Sequence, residues 1–121
     1  MAKYEIFKLN KDFRRLYAIG KSIVLPAVVI YFKRNNLDHS RIGITASKKI
    51  GCAVKRNRAK RVIMAAFRQI LNNLNGNFDF IFVARVRTTL VSSTAILNSM
   101  KKALGKEGVL TLNEENIDNV N

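Results

Sequence analysis

The sequence predicts an α+β domain in which a small sheet packs against helices. Three observations lead there. Apolar residues recur every three or four positions between Val54 and Leu74, short runs of β-branched and aromatic residues flank that stretch, and 121 residues that are 48% hydrophobic suffice for one core. The expected order is α-β-β-β-α-β-α, and helices on one face of the sheet are the economical packing.

Asn10 is placed to cap a helix over Lys11–Ile19, with Phe13, Leu16 and Tyr17 on its apolar side and Gly20 as its stop. Ile23–Leu25 and Val28–Phe32 read as strands, and Pro26, which has no N–H for a ladder, marks an edge or a break between them. Asn35–Asp38 reads as a turn. Arg41–Ser47 alternates, with Ile42, Ile44 and Ala46 on one side. Ala59, Val62, Ile63, Ala66, Phe67, Ile70, Leu71 and Leu74 then form one stripe of a helix from Val54 to Leu74, about 30 Å long at 1.5 Å per residue. Asn75-Gly76-Asn77 ends it. Phe78–Val86 is almost continuously apolar apart from Asp79, as a central strand would be. Ser92 caps a last helix that carries Ile96, Met100, Ala103 and Leu104 inward and stops at Gly105. One folded domain is therefore expected over 1–105, with an acidic, flexible tail over 106–121.

Charge sets the class of partner. Lysine and arginine number 22 against 8 acids, a net charge of +14. Residues 1–105 alone carry +17, and residues 106–121 carry −3. Between Asp38 and Asp79 there are nine basic residues and no acid. Such an excess suits a polyanion, either nucleic acid or an anionic membrane surface. The longest apolar runs, Ile23–Pro26 and Ala27–Phe32, are far too short to span a bilayer. No secretory signal is expected at the N-terminus, and the single cysteine, Cys52, suits a reducing cytoplasm.

At 100° per residue, Asn57, Lys60, Arg61 and Arg68 share the side of the long helix opposite its apolar stripe, with Arg56 and Arg58 flanking and Lys48, Lys49 and Lys55 just before them. A rigid cationic ridge of this kind meets successive phosphates, and arginine adds forked donors. A solvated helix face is the plainer alternative, but no acids are interleaved to form i,i+4 pairs. Met64 lies on the same side, as a surface methionine or as an apolar contact to a ligand. Phe13, Tyr17 and Tyr31 are candidates to stack on unpaired bases. For Phe13 and Tyr17, core packing competes, whereas Tyr31 faces away from Ile30 and Phe32. His39 has no cysteine or second histidine at ligand spacing and reads as a surface histidine. Cys52 lacks a base partner. Four acids in the globular part are too few and too scattered for a two-metal nuclease, so no catalytic residue is expected in the protein itself.

Arg41-Ile42-Gly43-Ile44-Thr45-Ala46-Ser47-Lys48-Lys49-Ile50-Gly51, followed by Ala53-Val54-Lys55-Arg56-Asn57-Arg58-Ala59-Lys60-Arg61, closely resembles the signature of the bacterial ribonuclease P protein family. Asp12-Phe13 through Tyr17 and Gly20, Tyr31, and Phe82-Val83-Ala84-Arg85 match further landmarks in order, so the resemblance spans about residues 8–104. It departs at Val86, where a proline is usual, at Tyr17, where phenylalanine is common, and at Cys52, where a polar or basic residue is frequent.

The resemblance implies a two-layer α/β sandwich like domain 2 of ribosomal protein S5. In it the long helix makes a left-handed βαβ crossover, against the usual right-handed rule. It implies a subunit of the ribonucleoprotein that removes the 5′ leader of precursor tRNA, with hydrolysis performed by the catalytic RNA. Mg²⁺ would be held mainly by that RNA, with no metal bound by the protein alone. The expected partners are ribonuclease P RNA and precursor tRNA, with no membrane and no obligate protein partner. By matching position, Arg56, Asn57, Arg58, Lys60 and Arg61 would face RNA. Phe13, Tyr17 and Tyr31 would line a cleft for the leader, which favours stacking over core packing. A ribosomal protein or RNA chaperone would share the charge and fold class. A DNA-binding protein using the long helix lacks the second helix and short turn of a helix-turn-helix.

Overall fold

The computed structural model describes residues 3–111. In chain order they form β1 (Tyr4–Ile6), α1 (Asn10–Ile19), β2 (Lys21–Val24), β3 (Val28–Arg34), β4 (Ser40–Thr45), α2 (Ala53–Ile70), β5 (Phe78–Ala84) and α3 (Ser93–Lys106). One five-stranded sheet has the order β1-β4-β5-β3-β2. β5 is its centre, parallel to β4 and antiparallel to β3, and β1 adds parallel to β4 at the edge.

Alternation along β5 explains the two layers. Phe78, Phe80, Phe82 and Ala84 face the main core, together with Val28, Ile30 and Phe32 of β3 and Ile42 of β4. α2 closes that face with Ala59, Ile63, Ala66, Phe67 and Ile70, and α3 with Ile96, Leu97, Met100 and Leu104. The Phe67 ring meets Phe80 and Phe82 edge-on at 5.8 Å each and Tyr4 at 5.7 Å. Ile81 points the other way, into a smaller cluster with Leu16 and Phe7. α2 and α3 thus share one face as expected, while α1 rests on the opposite one.

Several boundaries differ from the sequence reading, each for a local reason. β1 has no sequence signal, because its three residues gain a partner only when β4 arrives. Asn10 is the first helical residue and not the cap; Leu9 occupies that position, with no side-chain hydrogen bond. Gly20 is extended (φ −78°), so no left-handed cap is needed there. Glycine is required by crowding, since a Cβ would sit 2.6 Å from the Leu16 carbonyl oxygen. α2 stops at Ile70 and tightens into a 3-10 turn over Leu71–Asn73. Gly76, at φ +129°, then turns the chain into β5. β5 ends at Ala84, because Arg85 and Thr88 cap a 3-10 turn over Val86–Leu90. Ser92 does cap α3, accepting from the Ala95 N–H at 3.2 Å.

The expected boundary after residue 105 also moves. α3 runs on to Lys106, and Val109 and Leu110 are only 2% and 6% exposed. The Val109 carbonyl accepts from the Asn75 N–H (2.7 Å), and the Thr111 N–H donates to the Asn73 carbonyl (2.8 Å). The folded unit therefore includes residues 106–111, which the acidic composition of the whole 106–121 stretch conceals. The rest of the tail, 112–121, lies outside the described residues.

Candidate nucleic-acid interface

The basic ridge begins in the turn before α2. Ile50 is buried and anchors a 3-10 turn over Lys48–Ile50, which leaves Lys48 and Lys49 exposed. Gly51, at φ +133°, makes the bend into the helix, and the aliphatic stem of Lys55 lies over it. With one stripe of α2 committed to the core, Lys55, Asn57, Arg58, Lys60, Arg61 and Arg68 are left exposed. Among the described residues, no carboxylate forms an ion pair with any of the ridge cations. Arg56 differs from the others. It is half-buried and donates through Nη1 to the Gly51 carbonyl at 2.7 Å, which braces the turn. Arg68 reaches the Tyr4 hydroxyl through Nε at 3.4 Å, so it touches the sheet edge. The exposed Cys52 thiol faces the Lys55 backbone N–H at the helix start, which holds its pKa below the usual thiol value.

The aromatic candidates meet on the opposite face of the sheet, in a row with a fourth ring. Phe7 packs against Phe13 at 4.9 Å, Phe13 lies 6.5 Å from Tyr17, and Tyr17 meets Tyr31 edge-on at 4.7 Å. Tyr17 is 39% exposed, Phe13 and Tyr31 are half-buried, and Phe7 is buried beneath them. Phe13 and Tyr17 therefore pack and present a surface at once. Gly43 makes the row possible, because a Cβ there would lie 2.7 Å from the Phe13 ring and 2.9 Å from Phe7. Phe7 escaped sequence reading because it belongs to no periodic segment.

A groove of about 470 Å³ joins the row to the ridge, lined by Phe7, Phe13 and Lys8 on one side and by Lys60, Arg61 and Met64 on the other. Met64 is thus a wall of this groove. An ion network fixes the row from below. Arg41 grips Asp79 with Nε and Nη2 at 2.9 and 2.6 Å, approaches Asp12 of α1 at 3.8 Å, and lies 5.5 Å from the centre of the Phe7 ring. Burial pushes the Asp79 carboxyl up, but hydrogen bonds from Arg41 and Asn35 outweigh it and hold the pKa below the usual carboxylate value. His39 is partly covered, bridging Asp38 at 2.7 Å and Glu5 at 3.2 Å, and these carboxylates raise its pKa. No helix among the described residues is long and apolar enough to cross a membrane.

The model of the family described as Ribonuclease P matches residues 1–108. The ribonuclease P protein component of Thermoanaerobacter sp. (strain X514) is 37% identical over 113 residues, covering 92% of this chain and 97% of that protein. That of Clostridium novyi (strain NT) is 39% identical over 111 residues, covering 90% and 98%. The solved structure of the Staphylococcus aureus RNase P protein superposes with a TM-score of 0.76 at 34% identity, over 88% of this chain and 97% of that one. The Thermotoga maritima RNase P protein superposes with a TM-score of 0.72 at 27% identity, over 83% and 94%.

Proposed function

The chain belongs to the ribonuclease P protein family, the protein component of the ribonucleoprotein that matures tRNA 5′ ends, and from that premise we propose how it works there. It binds the ribonuclease P RNA through the α2 ridge and holds the single-stranded leader of precursor tRNA on the aromatic row. The observation that carries this reading is the continuity of the two surfaces through the groove between Phe13 and Lys60. A single strand needs faces on which bases stack and cations that follow its backbone, and these are adjacent here. The chemistry of each part follows from its side chains. Arg58 and Arg61 offer forked donors to phosphate oxygens, Lys48, Lys49, Lys55 and Lys60 add point charges, and Tyr17 and Tyr31 offer ring faces and hydroxyls.

Hydrolysis is assigned to the RNA with Mg²⁺. Among the described residues, no three His, Cys, Asp or Glu side chains come together to hold a metal ion. Asp12 and Asp79, the acids nearest the row, are both engaged by Arg41. The protein's part is binding and placement, in the cytoplasm. The test is cleavage of precursor tRNA at low Mg²⁺ by the cognate RNA alone, the protein alone and both together. Cleavage at the mature 5′ end in the mixture only supports the reading. RNA binding with no gain in cleavage would shift the protein to a ribosomal or chaperone role.

A further inference from the structure

A second cationic surface lies on the far flank of α1, away from the aromatic row. A groove of about 270 Å³ separates Arg15 of α1 from Lys33 and Arg34 at the end of β3. Its floor holds Arg41, Asp12 and Asp79, so the three cations Arg15, Lys33 and Arg41 face two carboxylates. Arg41 engages both carboxylates and Asp79 also feels the charge of Arg15, so the groove keeps a small positive excess. Arg15 and Lys33 are exposed, and among the described residues neither forms an ion pair. Arg34 borders the groove, but its guanidinium turns to the other face of the sheet, donating to the Asn75 carbonyl at 3.0 Å and lying 4.9 Å over the Phe78 ring. Lys11 and Arg14 extend the positive field along the outer side of α1.

What fits this groove differs from what fits the row. None of the residues lining it is aromatic, so it lacks the ring platform that the row offers an unpaired base. It offers charge and amides, which suit the backbone of structured RNA. The body of α1, about 10–12 Å across, lies between its rim and Tyr17 and Tyr31 of the row, and only Arg41 of the floor reaches Phe7. A short strand lying on Tyr17 and Tyr31 does not also fill it. We propose that the groove between α1 and the turn after β3 docks the phosphate backbone of the ribonuclease P RNA, which thereby grips the protein on a second surface besides α2. The inference rests on the RNA subunit being the partner, as above.

The test measures binding of the full chain to ribonuclease P RNA, without substrate, across a salt series. Each neutralised phosphate contact adds about 0.7–0.9 to the slope of log K against log salt, so Arg15→Gln with Lys33→Gln should flatten it by about 1.4–1.8. The charge-keeping pair Arg15→Lys with Lys33→Arg should restore the slope, and melting curves should show both variants folded. Arg58→Gln with Arg61→Gln serves as the reference. A slope flattened by the α2 pair but not by the α1 pair overturns the groove and leaves the general function standing. No change from either pair overturns both. Loss confined to precursor tRNA affinity in the holoenzyme would also overturn the proposal, because the groove would then hold substrate.

Discussion

Replacing Gly43 with alanine tests the link between the sheet and the aromatic row. The added methyl would stand 2.7 Å from two atoms of the Phe13 ring and 2.9 Å from Phe7. Carbon atoms rest about 3.5–4.0 Å apart, so both rings must retreat by roughly 1 Å. They are packed on each other at 4.9 Å, and Arg41 lies over Phe7, so neither moves alone. Overpacking of this kind costs about 1–3 kcal/mol. Removing glycine from a strand returns about 0.5–1 kcal/mol, which leaves a net loss of about 0–2.5 kcal/mol, centred near 1 kcal/mol. At roughly 4–8 °C per kcal/mol for a domain near this size, the central loss lowers the melting temperature by about 4–8 °C. The displaced Phe13 ring should also narrow the groove toward Met64 and Lys60, weakening the holoenzyme's preference for precursor over mature tRNA. Thermal melts and paired binding titrations read both effects. Phe13→Leu, added to the alanine variant, should recover part of the stability in a double-mutant cycle. An alanine variant with unchanged melting and full precursor preference would show that Gly43 does not set the position of the row.

Three further outcomes follow from the same geometry. Tyr31→Ala should weaken precursor tRNA binding by about 1–3 kcal/mol if a base stacks there, leaving mature tRNA unaffected; equal losses for both would remove Tyr31 from the leader site. Ending the chain after Gly105 removes buried Val109 and Leu110, which should cost about 3–5 kcal/mol relative to a chain ended after Thr111; matching urea midpoints would refute the packing of that segment. Asp79 has a native pKa below its ordinary value, so its contribution is present above about pH 4 and is lost as pH falls through the native pKa. Asp79→Asn should therefore be less stable at pH 7 and should approach the parent protein only as the pH falls below that lowered native pKa; a constant gap would exclude this linkage.

Much of the fold was legible because long periodic segments report their own burial. The stripe from Ala59 to Ile70, the Phe78–Ala84 run and the Ser92 cap all carry their signal locally. What escaped depends on partners distant in sequence. β1 exists only beside β4, and Val109 is fixed by Asn75. The site divides in the same way. The exposure of the ridge follows from helical periodicity, whereas Phe7 joins the row only because α1 folds back over Gly43. Arg56 was grouped with the ridge by helical position and by its match to the family motif, neither of which shows that its side chain turns back to Gly51.

The anchoring of Thr111 to Asn73 has a practical side. That contact puts the last described residue at the C-terminal end of α2, near Arg68, whereas the ridge cations from Lys55 to Arg61 occupy the first half of the helix. Along the helix Arg61 is about 14 Å and Lys55 about 22 Å from Ile70, roughly two to three screening lengths in physiological salt. A fluorophore or surface tether attached just after Thr111 would therefore sit near the protein while leaving the Lys55–Arg61 stretch clear, and its brightness or orientation could report RNA docking from a distance.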